Sequence, residues 1–301
     1  MKFLNKQITL FILIIAISQL LSCKNTLSNV PETTFREITD DLNRRVKLPN
    51  KVERVISLAP NLTENVFAID AGNTLIGVTE YCDFPEDAKK IQKIGDTIKP
   101  NIENIIALKP QIILVSTASQ LENFTKQLEE NNIAVFVTDP KDLEGVYRNL
   151  LQLGEIFGKT GKASEIVASL RKRVAEVELK ISTAKDLKVF VQISREPLFS
   201  IGKTSFLNDV INRAGGISVT DSINEPFPKL SKETALASNP EAIILSESPD
   251  NIEPNDVFKD SIATKNKRIF KVNANIISRP GPRLVEAIEI IAKNLHPDSF
   301  Q

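Results

Sequence analysis

Residues 161–184, GKASEIVASLRKRVAEVELKISTA, put apolar side chains at Ala163, Ile166, Val167, Leu170, Val174, Val177 and Ile181, with charge at most other positions. That spacing is the 3.6-residue period of a helix with one buried stripe. No proline or internal glycine interrupts it, so the pattern predicts a helix of about 24 residues, a rod of about 36 Å. A rod that long can join two domains; the alternative is a surface helix inside one larger domain. Residues 53–158 before it and 187–301 after it both alternate short β runs with helical patterns. The expected fold is α/β: two lobes, each a mainly parallel sheet wrapped by helices, joined by a rigid linking helix over 159–186.

In the first block, residues 53–58 read as a strand, followed by a helix start at Asn61 and Glu64, which have the spacing of a capping box. Turns from strand to helix at the carboxyl edge of a parallel sheet expose unpaired backbone N–H groups, and ligands bind there. Pro60 and Asn61 are therefore candidates for a cleft wall, although a capped helix alone accounts for them equally well. A second strand at 74–79 exits through Tyr81, Cys82 and Phe84. Tyr81 is either a ligand contact or partly buried core. Cys82, with no histidine near it in sequence, reads as a small packed hydrophobe. Loop 94–100 leads to a short helix capped by Asn101 and stopped by Pro110, with Glu103 in its first turn. Strands at 111–116 and 133–138 and helices at 120–131 and 143–157 complete a β-α-β-α-β-α-β-α series.

The second block repeats part of this design. A strand at 187–193, a loop at 194–202 and a helix at 205–214 stopped by Gly215-Gly216 are followed by Ser231-x-Glu233 and Pro240, which copy Asn101-x-Glu103 and Pro110 at an offset of 130 residues. Each copy precedes an apolar strand. Such an echo points to lobes of similar design, and it makes Glu103 and Glu233 equivalent. They serve either the helix dipole or a partner that grips one carboxylate per lobe. A strand at 268–272 and a final helix with Pro282 in its first turn and a stripe of Val285, Ile288, Ile291, Ala292 and Leu295 close the chain. Arg283 is expected to be solvated; Arg279 meets either an anionic ligand group or solvent.

At the other end, Lys2 and Lys6 precede an apolar run, residues 8–21, too short for a comfortable membrane span. The run ends at Ser22-Cys23 and resembles the lipobox of bacterial lipoproteins. That resemblance implies removal of residues 1–22 and lipidation of Cys23; the alternative is a plain secretory signal. Either implies export, to the periplasmic or cell-surface face of a bacterial membrane. Residues 24–50 read as a polar tether and lead-in segment, so 23–52 precede the first lobe. The only other cysteine is Cys82, so no disulfide is expected. A lone His296 provides no transition-metal cage. The formal charge is zero, and loss of Lys2 and Lys6 leaves 36 basic against 38 acidic residues, which argues against nucleic acid as a partner.

Several motifs occur together and in order: Arg54-Val-Ile-Ser-Leu-Ala-Pro-x-x-Thr-Glu64, Gly77-Val-Thr-x-Tyr-Cys-Asp-x-Pro85, Asn101-x-Glu103, Phe199-x-x-Gly202, Ser231-x-Glu233 and Ser278-Arg-Pro-Gly-Pro-Arg283. In this the chain resembles the iron-siderophore and cobalamin substrate-binding proteins of ABC importers, most nearly the vitamin B12-binding branch. The resemblance implies a monomeric, non-enzymatic receptor without a resident cofactor. It would hold cobalamin or an iron complex between its lobes and deliver it to permease subunits driven by a separate ATPase. It further implies permease docking through Glu103 and Glu233, and a cleft with Tyr81, Phe199 and Phe227 at strand exits. Phe227 and Thr97 stand where a larger aromatic often occurs in the family, and this chain has no tryptophan. Ser194 and Arg195, directly after a strand, are candidates for polar contacts.

Alternatives remain at this point. A ferric siderophore would favour Arg195 and Arg279 as counter-charges, and haem would ask for an axial ligand such as Tyr81. A chelatase-like enzyme or hydrolase lacks support, since no Ser-His or Cys-His pairing, nucleophile elbow or phosphate-cradling loop is present. A structural envelope lipoprotein would bind no small molecule.

Overall fold

The structure is a computed structural model that describes residues 35–97, 99–117 and 122–301. The expected signal segment 1–22, the expected lipidation site Cys23 and the expected tether up to residue 34 lie outside the described residues.

The chain first forms an antiparallel hairpin, β1 (Phe35–Thr39) and β2 (Arg45–Pro49). This corrects the reading of 24–50 as tether and lead-in throughout. β1 buries only Ile38, and β2 alternates Arg45-Val46-Lys47-Leu48 over too short a run to stand out in the sequence. The first lobe follows: β3 (Val55–Ser57), α1 (Pro60–Ala68), β4 (Leu75–Val78), α2 (Ile102–Ala107), β5 (Ile112–Ser116), α3 (Glu122–Glu130), β6 (Ala134–Thr138) and α4 (Leu143–Ile156). Its sheet is parallel, in the order β4-β3-β5-β6. The hairpin covers the free edge of β6. Asp41 N–H donates to Val137 O, Arg44 donates to Val135 O, and Val137 N–H donates to the Asp40 carboxylate. An edge strand closed in this way is no longer a template for other chains.

The rod is α5 (Thr160–Ile181), about 33 Å at 1.5 Å per residue. Ala163, Val167, Leu170, Val174, Val177 and Ile181 are buried as the periodicity predicts, and Ile166 is half-buried. After it come β7 (Leu187–Gln192), α6 (Phe206–Arg213), β8 (Gly216–Ser218), α7 (Lys232–Ser238), β9 (Ala242–Glu247), α8 (Ile262–Lys265), β10 (Ile269–Asn273), α9 (Ala274–Ile277) and α10 (Leu284–Leu295). The second sheet is also parallel, in the order β8-β7-β9-β10. Counted along each lobe, both sheets run 2-1-3-4.

The 130-residue echo extends well beyond its two glutamates. Asn101 and Ser231 cap α2 and α7 by accepting from the N–H three residues on, and Lys109 and Asn239 both take positive φ, at 47° and 37°. The next residue but one closes each strand pair: Gln111 N–H donates to Arg54 O and Glu241 N–H to Lys188 O. β8 corrects the sequence reading, which has a helix stop at Gly215-Gly216 and no strand. Three residues at a sheet edge, with Ile217 exposed, leave no periodic signal.

One hydrophobic core runs from the inner face of the first sheet through α4, α5 and α10 into the second sheet, while each sheet has a separate cluster on its other face. The rod is tied to the first lobe by Arg171–Glu144 at 2.6 Å and to the second by a two-pronged Arg173–Glu289 pair at 2.8 Å on each prong. Leu143 N–H, at the start of α4, donates to Asp209 of α6 at 3.0 Å. The lobes are therefore fastened on the rod side by apolar packing as well as by the helix itself.

Candidate functional site

The carboxyl edges of the two sheets face a cleft of about 680 Å³, within the usual size of small-molecule sites. Six of the nine candidate ligand residues line it: Pro60, Asn61, Tyr81, Thr97, Phe227 and Arg279. Thr97 and Phe227 are again 130 positions apart, so they face the cleft from equivalent loops of the two lobes. Tyr81 is 56% and Phe227 42% exposed, and these rings are available to a ligand rather than absorbed in the core. The Tyr81 hydroxyl has no hydrogen-bond partner among the described residues.

Ser194, Arg195 and Phe199 are not brought to the cleft, which corrects their assignment as a wall. Helix α1 starts three residues after β3 ends, but α6 starts fourteen residues after β7 ends. The longer loop folds back on itself. Phe199 bridges to Ser194 and to Lys229, and Arg195 turns away to pair with Asp256 at 3.0 Å. The second lobe instead presents the start of α6, Thr204 to Phe206, at the place that Pro60 and Asn61 occupy in the first. The cleft also contains residues that the sequence reading passed over: Ser116, Thr117, Asp139 and Lys141. All four lie at the exits of β5 and β6. The strand-exit argument made for β3 would have found them had it been carried to every strand of the lobe.

The capping box is likewise corrected. Pro60 occupies the first turn of α1, the helix cap at Ala59 makes no side-chain bond, and Asn61 Nδ2 donates to Pro280 O at 3.4 Å across the lobes. Glu64 is buried and accepts from two arginines of the other lobe: Arg279 Nη1 at 2.9 Å, and Arg283 through Nε at 2.9 Å and Nη2 at 2.6 Å. Arg283 is thus not solvated, and its guanidinium also lies 4.1 Å over the Phe84 ring. Arg279 further donates to Asp83 at 2.6 Å. Burial alone would lower the Arg279 pKa, but its hydrogen bonds to Asp83 and Glu64 outweigh that and raise it. The cleft cation of the second lobe is therefore already matched by carboxylates. Lys141 is matched too, by Asp139 at 2.7 Å, and Asp139 accepts from Thr117 at 2.6 Å.

Cys82 lies under the Tyr81 loop, against the hydroxyls of Thr63 and Thr79, each 3.1 Å from its sulfur. His296 sits at the opposite, amino edge of the second sheet with Nε2 3.0 Å from Gly215 O. Among the described residues no cluster of three or more His, Cys, Asp or Glu is placed to hold a metal ion. Glu103 and Glu233, in the first turns of α2 and α7, are both exposed and form no ion pair among the described residues. Each follows a cleft-lining residue, Thr97 or Phe227, by six positions, and neither lines the cleft itself.

An uncharacterized ABC transporter substrate-binding lipoprotein of Bacillus subtilis is 29% identical over 283 residues, covering 88% of this chain and 86% of the relative. A vitamin B12-binding protein of Vibrio vulnificus is 29% identical over 247 residues, 81% of this chain and 90% of that one. The crystal structure of the periplasmic vitamin B12 binding protein of Vibrio cholerae superposes with a TM-score of 0.73 at 23% identity, covering 84% of this chain and all of that one. The profile of the periplasmic binding protein family matches residues 55–275. That match begins at the first residue of β3 and ends inside α9, so it takes in both sheets, the rod and the strand exits around the cleft, and the chain belongs to the periplasmic binding protein family.

Proposed function

We propose that the protein is the substrate-binding receptor of an ABC importer, lipid-anchored through Cys23 outside a bacterial membrane, and that it captures a corrinoid, cobalamin, between its lobes. The observation that carries the ligand reading is the cleft itself. It offers one exposed ring from each lobe, Tyr81 and Phe227, surrounded by hydroxyls and by cations that are already paired. A flat macrocycle edged with amides can stack on such rings and hydrogen-bond around its rim. A polyanionic ferric siderophore asks for unmatched positive charge, and Arg279 and Lys141 both have carboxylate partners. The names of the vitamin B12-binding relatives support the same choice. Cys82 is buried under the Tyr81 loop and His296 is on the far edge of the sheet, so neither the thiol nor the imidazole reaches the cleft.

Haem is the second reading, favoured by the unpartnered Tyr81 hydroxyl, since tyrosine is one of the axial ligands haem accepts. Titration calorimetry with cyanocobalamin, haemin and a ferric siderophore separates the three. Submicromolar cyanocobalamin binding is expected, weakened at least tenfold by Phe227→Ala and by Tyr81→Ala, because each removes a stacked ring worth about 0.5–1.5 kcal/mol beyond its buried area. Absence of cyanocobalamin binding with tight binding of haemin or the siderophore overturns the ligand while keeping the receptor. No binding of any of them returns the structural lipoprotein.

A further inference from the structure

Three motifs meet where the lobes touch beside the cleft: Glu64 from α1, Tyr81 to Phe84 from the exit of β4, and Arg279 to Arg283 from the second lobe. Both Glu64 oxygens are used, and its side chain is 2% exposed. Arg279, at 12%, donates to Glu64, to Asp83 and, at 3.3 Å, to the main-chain oxygen of Tyr81. Within its own lobe it donates to Asn275 at 2.8 Å, and Asn275 Nδ2 in turn donates to Asp83 at 3.3 Å. Arg283 closes the group against Phe84. Apart from the Arg–Asn275 contacts, each of these interactions crosses from one lobe to the other.

We propose that Arg279 is a positioning residue of the cleft: it fastens the Tyr81 loop of the first lobe to the second lobe and, with Glu64 and Arg283, sets the cleft aperture before any ligand arrives. The cluster joins the two lobes beside the cleft, so any separation of the lobes that widens the cleft has to break these cross-lobe contacts. Glu64 and Arg279 are largely desolvated, and a buried carboxylate or guanidinium stripped of its partner is strongly unfavourable. The cluster therefore stays whole or comes apart as a unit, which favours one aperture over a continuum. Because Arg279 holds the main chain of Tyr81, it fixes where that ring stands without having to stack on the ligand itself. The proposal does not depend on which ligand occupies the cleft.

The test is hydrogen–deuterium exchange on the ligand-free full chain. In Arg279→Ala, the amides of Glu80, Cys82, Ser278 and Gly281 are expected to exchange at least about tenfold faster, since hydrogen bonds to charged groups contribute roughly 1.5–3 kcal/mol each. Amides of the rod between Val167 and Val177 are expected to keep the wild-type rate, and the radius of gyration from solution scattering to rise. Asp83→Asn, at a half-exposed position that a neutral amide tolerates, is expected to speed exchange at Glu80 and Cys82 in the same direction by a smaller factor. It decides the matter if Arg279→Ala does not fold. Unchanged exchange at Glu80 and Cys82 in the folded variants, or an equal rise along the rod, overturns the proposal.

Discussion

Asp83 is held at the lobe boundary by Arg279 Nη1 at 2.6 Å and Asn275 Nδ2 at 3.3 Å. Partial burial opposes its ionisation, but the Arg279 hydrogen bond and the positive charges of Arg279 and Arg283 prevail and keep its carboxyl below the usual 3.8. Lys89 is the further cation that feels it. A carboxylate with a lowered folded-state pKa adds stability that is fully present above about pH 4, where the unfolded-chain aspartate is ionised, and that is lost as pH falls through the lower value. Urea unfolding of the wild type and Asp83→Asn is therefore expected to show a constant gap above about pH 4 that narrows as the solution becomes more acid; a gap independent of pH would mean that the pair is not formed in solution. Residues of this kind were hard to read in the sequence. Pro60, Asn61 and Tyr81 reach the cleft because each follows a strand closely, which is visible locally, whereas Thr97 and Phe227 lie on longer loops and are singled out only by the family resemblance. The pairing of Glu64 with arginines more than 200 positions away joins two lobes whose mutual orientation no local pattern encodes, so Glu64 read as a cap and Arg283 as a surface charge.

The rod was the most legible element, because its buried stripe continues for six turns without a helix breaker. Its fit against α4 was not legible, and one close contact decides it. A Cβ added at Gly154 would stand 2.5 Å from the Ala163 Cβ, so the two helices touch with no side chain between them. Gly154→Ala would raise helix propensity by about 1 kcal/mol if nothing else mattered. The overlap forces α4 away from α5, and overpacking of this kind costs about 1–3 kcal/mol. A net loss of stability of up to about 2 kcal/mol is expected, read as a lower urea midpoint with an unchanged slope. A stabilised variant would mean that the rod and the first lobe are less tightly packed than the geometry describes. The hairpin and β8 escaped sequence reading for a different reason. They are short, lie at sheet edges, and bury too few side chains to leave a period-two signal.

For the molecule as a whole, the repeated 2-1-3-4 sheets give each lobe the same feature, an exposed glutamate in the first turn of the helix that precedes the third strand. Asn101 and Ser231 already cap those helices through their own side chains. The glutamates are thus left with a favourable interaction with the helix dipole that salt screens. Glu233 is held below the ordinary carboxylate range by its own backbone N–H and the Ser231 hydroxyl, so it is charged at neutral pH. We propose that the two exposed glutamates, one per lobe, dock on a permease that offers one basic socket for each. Removing one partner of a desolvated interfacial pair costs about 2–5 kcal/mol. Replacing both Glu103 and Glu233 by Ala is therefore expected to weaken docking more than a hundredfold and to abolish ligand uptake into cells that carry the cognate permease. Ligand affinity measured by calorimetry should stay within about twofold of the wild type, because neither carboxylate lines the cleft. Each single variant should retain partial uptake. Loss of ligand affinity in the double variant would tie these residues to the cleft instead, and full uptake with both removed would place the docking surface elsewhere on the molecule.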